Sequence, residues 1–349
     1  KQDIRVLSKE KLKEYFTSKG EKAFRANQVY EWIWKKSAID FDQMTNLSLS
    51  TREMLRDNFS INAVAVDDCQ FSKDGTIKNA LTLHDGLVVE SVMIPTPTRI
   101  TACVSSQVGC SLGCTFCATA RMKRMRNLNP DEIYDQVVAI QKQAQETLGR
   151  PLTNIVFMGM GEPLLNYRNT MEAIEKITSP QGLGLSPRRI TVSTAGVAKM
   201  IRQMADEKVR FKLALSLHSA IESKRSRLMP INETNTLADL EAALGYWYQQ
   251  TRSRVTLEYV VWEGVNDGEE DVRALVRFAR KFPSKVNLIE YNNVGEDSLR
   301  QAHPSAVAAY TEALEAVGIT CSFRRSRGRD IDAACGQLAN KGESSVAAK

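Results

Sequence analysis

From residue 101 onward the sequence repeats one alternation: a short run rich in β-branched and apolar residues, then a longer stretch with apolar residues three and four apart. The pattern predicts strands at Ala102–Ser106, Asn154–Gly159, Arg189–Thr194, Phe211–Leu217, Val255–Val261, Val286–Tyr291 and Ile319–Arg324, with helices between them. The clearest helix start is Asn129-Pro130-Asp131-Glu132. There an Asn cap, a proline in the first turn and two acids suit a helix N-terminus, and Ile133, Val137, Ile140 and Ala144 follow at helical spacing. Strands separated by helices of this length require a parallel sheet with helical crossovers. Six such repeats make an α/β fold that is either an open, partial (β/α)6 barrel or a flat doubly wound sheet. In both, the working loops lie beyond the C-terminal ends of the strands.

The upstream chain has a different character. Lys9 to Lys19 and Ala26 to Lys36 carry Leu12, Tyr15, Phe16, Val29, Trp32, Ile33 and Trp34 at helical spacing, which predicts a small helical accessory domain over residues 1–60. Residues 61–100 read as a β-rich extension, with a hairpin turn at Ser72 to Thr76 and a strand-like run from Val88 to Ile94 that ends at Pro95. The barrel is expected over 101–325 and a C-terminal segment over 326–349. No apolar run approaches the roughly 18 residues that span a bilayer, and the first residues lack the pattern of a signal peptide. A cytoplasmic protein without a membrane segment is expected.

Four of the seven cysteines crowd into fifteen residues directly after the first strand of the alternation. Cys110, Cys114 and Cys117 form a C-x3-C-x2-C array, and Cys103 lies seven residues upstream. Such clustering in a reducing compartment points to metal or redox chemistry rather than a disulfide framework. Three thiolates around a four-iron cluster leave one iron open to another ligand. A structural zinc site would want a fourth Cys or His at paired spacing, and His84, His218 and His303 form no such pair.

Other candidates stand out less on their own. Gly159-Met-Gly161-Glu162-Pro163 ends a predicted strand with two glycines and a carboxylate, which suits close backbone approach to a ligand and an acceptor for an ammonium group. Cys335 follows Gly328 to Asp330, a stretch expected to be a flexible loop, where neighbouring arginines would favour its thiolate; a small buried core residue is the plainer alternative. Glu90, alone in an alternating strand, reads as a wet-face residue. The formal net charge is +6, with basic clusters at Arg121–Arg126, Arg188–Arg189, Lys224–Arg227 and Arg324–Arg329. Clusters on several loops predict one phosphate-facing surface, or separate solvated faces.

Cys110-Ser-Leu-Gly-Cys114-Thr-Phe-Cys117 resembles the motif of the radical S-adenosylmethionine superfamily. Further stretches narrow the resemblance: Cys103-Val-Ser-Ser-Gln-Val-Gly-Cys110, Phe157-Met-Gly-Met-Gly-Glu-Pro-Leu-Leu-Asn166, Thr191 to Gly196, Leu215 to Ser219 and Asp330 to Leu338 are similar to the RlmN family. The resemblance runs from about Gly20 to Ala339. It implies a dual-specificity enzyme that methylates carbon 2 of adenosine in 23S ribosomal RNA and transfer RNA, with a partial radical-SAM barrel. The related Cfr enzymes methylate carbon 8, and the residues alone do not separate the two. A third reading, of another class, is an RNA-binding iron–sulfur protein without methyltransferase activity.

What the resemblance implies can be carried residue by residue. Cys110, Cys114 and Cys117 would hold a 4Fe-4S cluster whose open iron binds S-adenosylmethionine. Gly161, Glu162, Ser193, the Ser216-Leu217-His218 segment and Asn292 would contact that cofactor. Cys335 would take a methyl group from one S-adenosylmethionine, a second would generate the radical that activates it, and Cys103 would resolve the protein–adenine adduct by forming a disulfide with Cys335. Glu90 would accept the proton. An external electron donor such as a flavodoxin system and a monomeric chain complete the expectation. Carbon 2 of adenine has no acidic proton and is electron-poor, which is the chemical reason for a radical route. Two departures from the family pattern are Lys123-Arg124-Met125 after the cysteine loop, expected to alter RNA contacts, and Glu290-Tyr291 in place of a Pro-Trp pair before Asn292.

Overall fold

A computed structural model describes residues 1–295 and 298–340; residues 341–349, the end of the expected C-terminal segment, lie outside the described residues. Helices α1 (Lys9–Ser18), α2 (Phe24–Trp34) and α3 (Leu49–Asn58) come first in the chain. Ser8 and Ser48 cap α1 and α3, each accepting a backbone N–H three residues on. The third helix was not expected, because Leu49 is exposed and its apolar stripe reduces to Met54 and Leu55. Arg5 ties this unit to the helix that follows the cysteine loop, α4 (Pro130–Leu148), through Asp131 at 2.9 Å and Asp135 at 2.8 Å. Tyr134 of α4 donates to the Trp34 carbonyl at 2.7 Å.

One ten-stranded sheet then runs through the rest of the chain. Its strands are β1 (Ala65–Phe71), β2 (Ile77–Thr82), β3 (Val88–Pro95), β4 (Ile100–Cys103), β5 (Asn154–Phe157), β6 (Ile190–Thr194), β7 (Lys212–Ser216), β8 (Val255–Val260), β9 (Ser284–Ile289) and β10 (Cys321–Arg324). Strands β1 to β4 pair antiparallel in sequence order, and β4 to β10 pair parallel in sequence order. Helices α5 (Tyr167–Thr178), α6 (Ala198–Asp206), α7 (Glu222–Leu228), α8 (Leu237–Thr251), α9 (Glu269–Ala279) and α10 (Pro304–Glu315) complete the crossovers begun by α4.

Strand order decides between the two architectures. A doubly wound sheet reverses its order at a switch point; here each parallel strand lies beside its predecessor. Right-handed crossovers in one direction put all helices on one side, so the sheet curls into an open barrel. The parallel strands end one to three residues earlier than the sequence predicts at their C-termini, except β6 and β10. Past those ends the chain turns into the loops that build a cavity. The main core extends from Ile4 to Leu338. A second, smaller apolar cluster around Val260, Trp262, Ile289 and Tyr291 sits at the C-terminal mouth, with Leu112, Cys114 and Phe116 of the cysteine loop packed on it.

Candidate active site

The cysteine loop leaves β4 at Cys103 and is anchored before it reaches the array. Gln107–Val108 pairs with Arg126–Asn127 across the loop, and Gly109 holds a φ of +73° with the Lys123 carbonyl 2.4 Å from where a Cβ would stand. The departure at Lys123–Arg124 therefore packs directly on the loop's glycine. Cys110, Cys114 and Cys117 then face one cavity, partly open to solvent, at the C-terminal ends of the barrel strands.

Among the described residues, no three His, Cys, Asp or Glu side chains converge closely enough for one metal ion. The three cysteines instead share a volume. Burial pushes the Cys110 thiol up to about 11 and Cys114 further, and the charge of each neighbouring thiolate adds to it. Thiols this desolvated hold their protons unless a cation takes the place of the proton, as iron does. A thiolate-ligated cluster, larger than a single ion, fits this arrangement.

The same cavity gathers most of the other expected residues. Gly161, Glu162, Ser193, Ser216, His218, Asn292 and Cys335 all line it. Gly161 adopts a φ of +91°, and a Cβ there would meet Gln107 Cβ at 2.4 Å, so only glycine lets this loop pass. Glu162 is buried, and its two oxygens accept the backbone N–H groups of Leu164 at 2.9 Å and Ala195 at 2.7 Å. Those bonds, together with one from the Thr194 side chain, fix its carboxylate in place, and its remaining lone-pair capacity is free for a ligand. Ser193 and Ser216 hydroxyls lie 3.5 Å apart on adjacent strands. Asn292 donates from Nδ2 to the Cys335 carbonyl at 3.3 Å, while its buried Oδ1 has no partner. An orphaned acceptor in a cavity is a place for a ligand's N–H. Leu217 does not share this lining: its side chain is in the core, and its backbone bonds Glu258 and Arg225.

His218 is fixed in one protonation state. Its Nδ1 accepts the Val260 N–H at 3.1 Å, and burial, with Arg225 behind it, pushes its pKa down to about 3. The ring is therefore neutral, with its proton on Nε2. Phe116 meets it edge-on at 4.6 Å, and Trp262 lies 5.2 Å from Phe116 and 5.9 Å from Tyr291. Phe116, Trp262 and Tyr291 form an aromatic wall, and Trp262 was missed by the sequence reading because nothing local marks it. Its Nε1 is buried without a partner.

Cys103, at the end of β4, and Cys335, near the C-terminal end of the described chain, come to one place. Cys335 lines the main cavity and also a smaller one shared with Cys103, Met158 and Arg324. Cys335 reaches solvent through the open cavity, yet protein crowds it on most sides, and that desolvation raises its thiol pKa despite the nearby Arg324 guanidinium. The expected arginine-stabilised thiolate is thus corrected: Arg324 lowers the pKa, but burial outweighs it. Cys103 is buried, pushed up to about 12 by burial and then by Cys335.

The segment before Cys335 is not the free loop the sequence suggested. Asp330 accepts from Ser72 Oγ at 2.6 Å and Lys73 N at 3.1 Å, and Asp74 accepts from Gly328 N at 3.0 Å, so the β1–β2 hairpin tip holds it. Glu290 of the departing Glu-Tyr pair adds Ser326 N at 3.0 Å and Arg329 at 2.9 Å. Beyond Cys335, the cysteine loop takes over: Ala118 N donates to Gly336 O at 2.7 Å and Thr119 Oγ1 to Leu338 O at 2.6 Å.

Glu90 is not on a wet face. It is buried on β3, 3.3 Å from Lys78, accepts the Ala339 N–H at 2.8 Å, and faces a pocket separate from the cavity. The basic clusters do not form one surface either. Arg188–Arg189 stands at the N-terminal ends of the strands. At the other end Arg225 is wholly buried, bonding Ala195 O at 2.6 Å and Asn232 at 2.7 Å, and Arg126 grips Glu132 and Asp85. Short-range order, rather than phosphate, occupies those cations.

An open, singly wound barrel with three cysteines and, at its mouth, an apolar cavity set with a few polar groups defines a radical S-adenosylmethionine enzyme, and residues 104–279 match the family model described as the Radical SAM superfamily. S-adenosylmethionine and an iron–sulfur cluster belong to that class. Residues 2–61 match the model described as the ribosomal RNA large subunit methyltransferase N-terminal domain. A relative from Christiangramia forsetii, "Probable dual-specificity RNA methyltransferase RlmN", is 62% identical over 341 residues, covering 98% of this chain and 97% of its own. "Dual-specificity RNA methyltransferase RlmN" from an Anaeromyxobacter species is 43% identical over 345 residues, covering 97% of this chain and 91% of its own. A crystal structure of a radical SAM methyltransferase from Sphaerobacter thermophilus superposes with a TM-score of 0.91 at 38% identity, covering 97% of this chain and 99% of that one. The chain belongs to the RlmN family of dual-specificity radical SAM RNA methyltransferases, rather than to the Cfr enzymes.

Proposed function

We propose that the chain methylates carbon 2 of adenosine in 23S ribosomal RNA and in transfer RNA, carrying the methyl group on Cys335 and releasing the product through Cys103. One observation carries the reading: Cys335 borders both the main cavity and the smaller one that holds Cys103. A carrier thiol has to face a methyl donor and a base on one side and a resolving thiol on the other. When bound, the cluster on Cys110, Cys114 and Cys117 and two S-adenosylmethionines per turnover supply the electron, the radical and the methyl group.

The chain's own residues do the rest. Glu162 and Asn292 offer fixed acceptors for a ligand's ammonium and amide-type donors, Ser193 and Ser216 offer hydroxyls, Gly161 lets the backbone approach, and Leu217 acts through its backbone in setting the strand end. Neutral His218 offers an Nε2–H. Phe116, Trp262 and Tyr291 exclude water and provide a face on which an extruded adenine can stack. Cys103, protonated while buried, attacks Cys335 sulfur only once deprotonated; the S–S bond forms as the sulfur–carbon bond to the product breaks. Glu90 is the proton acceptor on resemblance alone, and its bond to Ala339 means that the segment after Cys335 has to shift for it to serve. An external one-electron donor such as a flavodoxin, a monomeric state and a cytoplasmic setting belong to the same proposal. No helix among the described residues is long and apolar enough to cross a membrane.

Mass spectrometry of nucleosides from RNA treated with the reduced, loaded enzyme tests it. A 2-methyladenosine product is expected, and an 8-methyladenosine product overturns the regiochemistry.

A further inference from the structure

The end of the barrel opposite the cavity carries a second open basin, at the N-terminal ends of β5, β6 and β7, that the chemistry above leaves without a role. Arg188 and Arg189 stand just before β6. Lys208, Arg210 and Lys212 lead into β7, Arg252 follows α8, and Arg99 precedes β4. All seven are exposed, the lining includes no acidic residue, and among the described residues none of the seven forms an ion pair. The two acids next to Lys208 in sequence are occupied elsewhere: Asp206 accepts from the Tyr246 hydroxyl and Glu207 from the Tyr167 hydroxyl. The field is felt by a neighbour. Lys285, half-buried on β9, is held below the usual lysine range by burial, with Lys212 and Arg254 adding to the effect.

A purely structural account covers only part of this. Cations favour helix C-termini, which point to this end of a barrel, and Lys208 and Arg252 sit there. Both adopt left-handed backbone, φ 50° and 55°, where glycine is the usual choice. Of the other five, Arg188 and Arg189 sit in a single 3-10 turn, Pro187–Arg189, too short to carry an appreciable dipole, and Arg99, Arg210 and Lys212 lie at strand starts. Seven unpaired like charges repel one another, and an anion relieves that repulsion.

We propose that this basin binds the phosphate backbone of the RNA substrate at a distance from the target base. The inference rests on RNA being the substrate. The strands here are four or five residues long, about 13–17 Å, so a nucleotide held in the basin is separated from the cavity by at least that depth. A short hairpin seated on the cavity does not reach it. A large folded RNA does, wrapping the side of the barrel.

The test uses the full chain with its cluster loaded and two labelled probes: an unmodified transfer RNA transcript, and a short hairpin carrying the same target adenosine. Arg189→Glu/Arg210→Glu is compared with Lys142→Glu/Arg277→Glu, a charge-matched pair of exposed cations on the outer helices α4 and α9. The basin pair should bind the transcript about tenfold more weakly at 0.1 M salt, and the slope of log affinity against log salt should fall by about 1.5. Hairpin affinity should change no more than in the control pair. Equal losses in the two pairs, or equal losses on both probes, overturn the basin. Iron content and circular dichroism matching wild type guard against misfolding, and single variants at Arg188 and Arg210 repeat the measurement with half the charge change. If the wild type methylates RNA and the basin pair binds the transcript as the wild type does, only this inference fails. A wild type that neither binds nor methylates RNA overturns the substrate assignment with it.

Discussion

At the C-terminal end of the barrel Glu162, Arg225 and Glu258 are buried and each held by fixed hydrogen bonds, whereas at the N-terminal end seven cations stand exposed without an ion pair among the described residues. The first arrangement positions: buried charges held by hydrogen bonds do not reorganise when a ligand arrives, and burial strengthens their action on it. The second attracts: loose, solvated charges produce a long-range field with little geometric preference, and salt screens it. On the proposals above, one end of the barrel serves chemistry on one base and the other holds a polyanion.

The contrast can be broken most severely at the proposed carrier. Cys335→Ala should abolish methyl transfer while leaving iron content and the cluster's visible absorbance unchanged, because Cys335 is not among the cluster-facing trio. Product formation by that variant would show that the methyl group travels otherwise. Gly161→Ala is next: with φ at +91° and Gln107 in the way, the loop has to shift, so S-adenosylmethionine affinity measured by equilibrium dialysis should drop at least tenfold with little loss in RNA binding. Arg225→Met probes clamping itself. It orphans the Ala195 carbonyl and Asn232 Oδ1 and removes one of the bonds to the Leu217 carbonyl, and should cost about 3 kcal/mol in urea unfolding; a loss under 1 kcal/mol would mean that the clamp is dispensable.

A smaller effect is expected from pH. The folded-state pKa of His218 lies near 3, below the unfolded value near 6.5. The unfolded chain therefore takes up a proton that the native chain refuses, and stability falls as pH drops from 6.5 toward 3, by at most about 1.4 kcal/mol per unit. Above 6.5 this contribution is constant. His218→Gln should flatten that part of the urea-midpoint profile, and an unchanged slope would place a charge on the native ring. The smallest catalytic effect belongs to the opposite end: Arg189→Glu/Arg210→Glu should leave kcat at saturating RNA within twofold of wild type, the loss appearing in KM and growing with salt.

Much of this was legible in the chain. The strand–helix alternation placed all seven parallel strands, because each must be apolar over a few residues and each crossover must be amphipathic. The cysteine array announced its chemistry because thiolate ligands at short spacing on a loop have few other uses. Trp262 and Arg225 were illegible: a lone aromatic in a loop and one arginine in a basic run carry no local mark, and their roles come from what lies opposite them. The basic clusters misled for the same reason. Arg188–Arg189 and Arg225 look alike in sequence, but one ends in solvent and the other in the core.

By itself, then, the sequence determined the class of fold and the cysteine-rich loop, since both depend on patterns within a few residues or on regular repetition. Only the tertiary structure decided that the sheet is wound in one direction, that Cys335 meets Cys103 across 232 positions, and that one basic cluster faces away from all the others. Those outcomes depend on strand order and on which ends of the strands are brought together. Pairing between segments far apart in the chain sets both, and no local pattern encodes it.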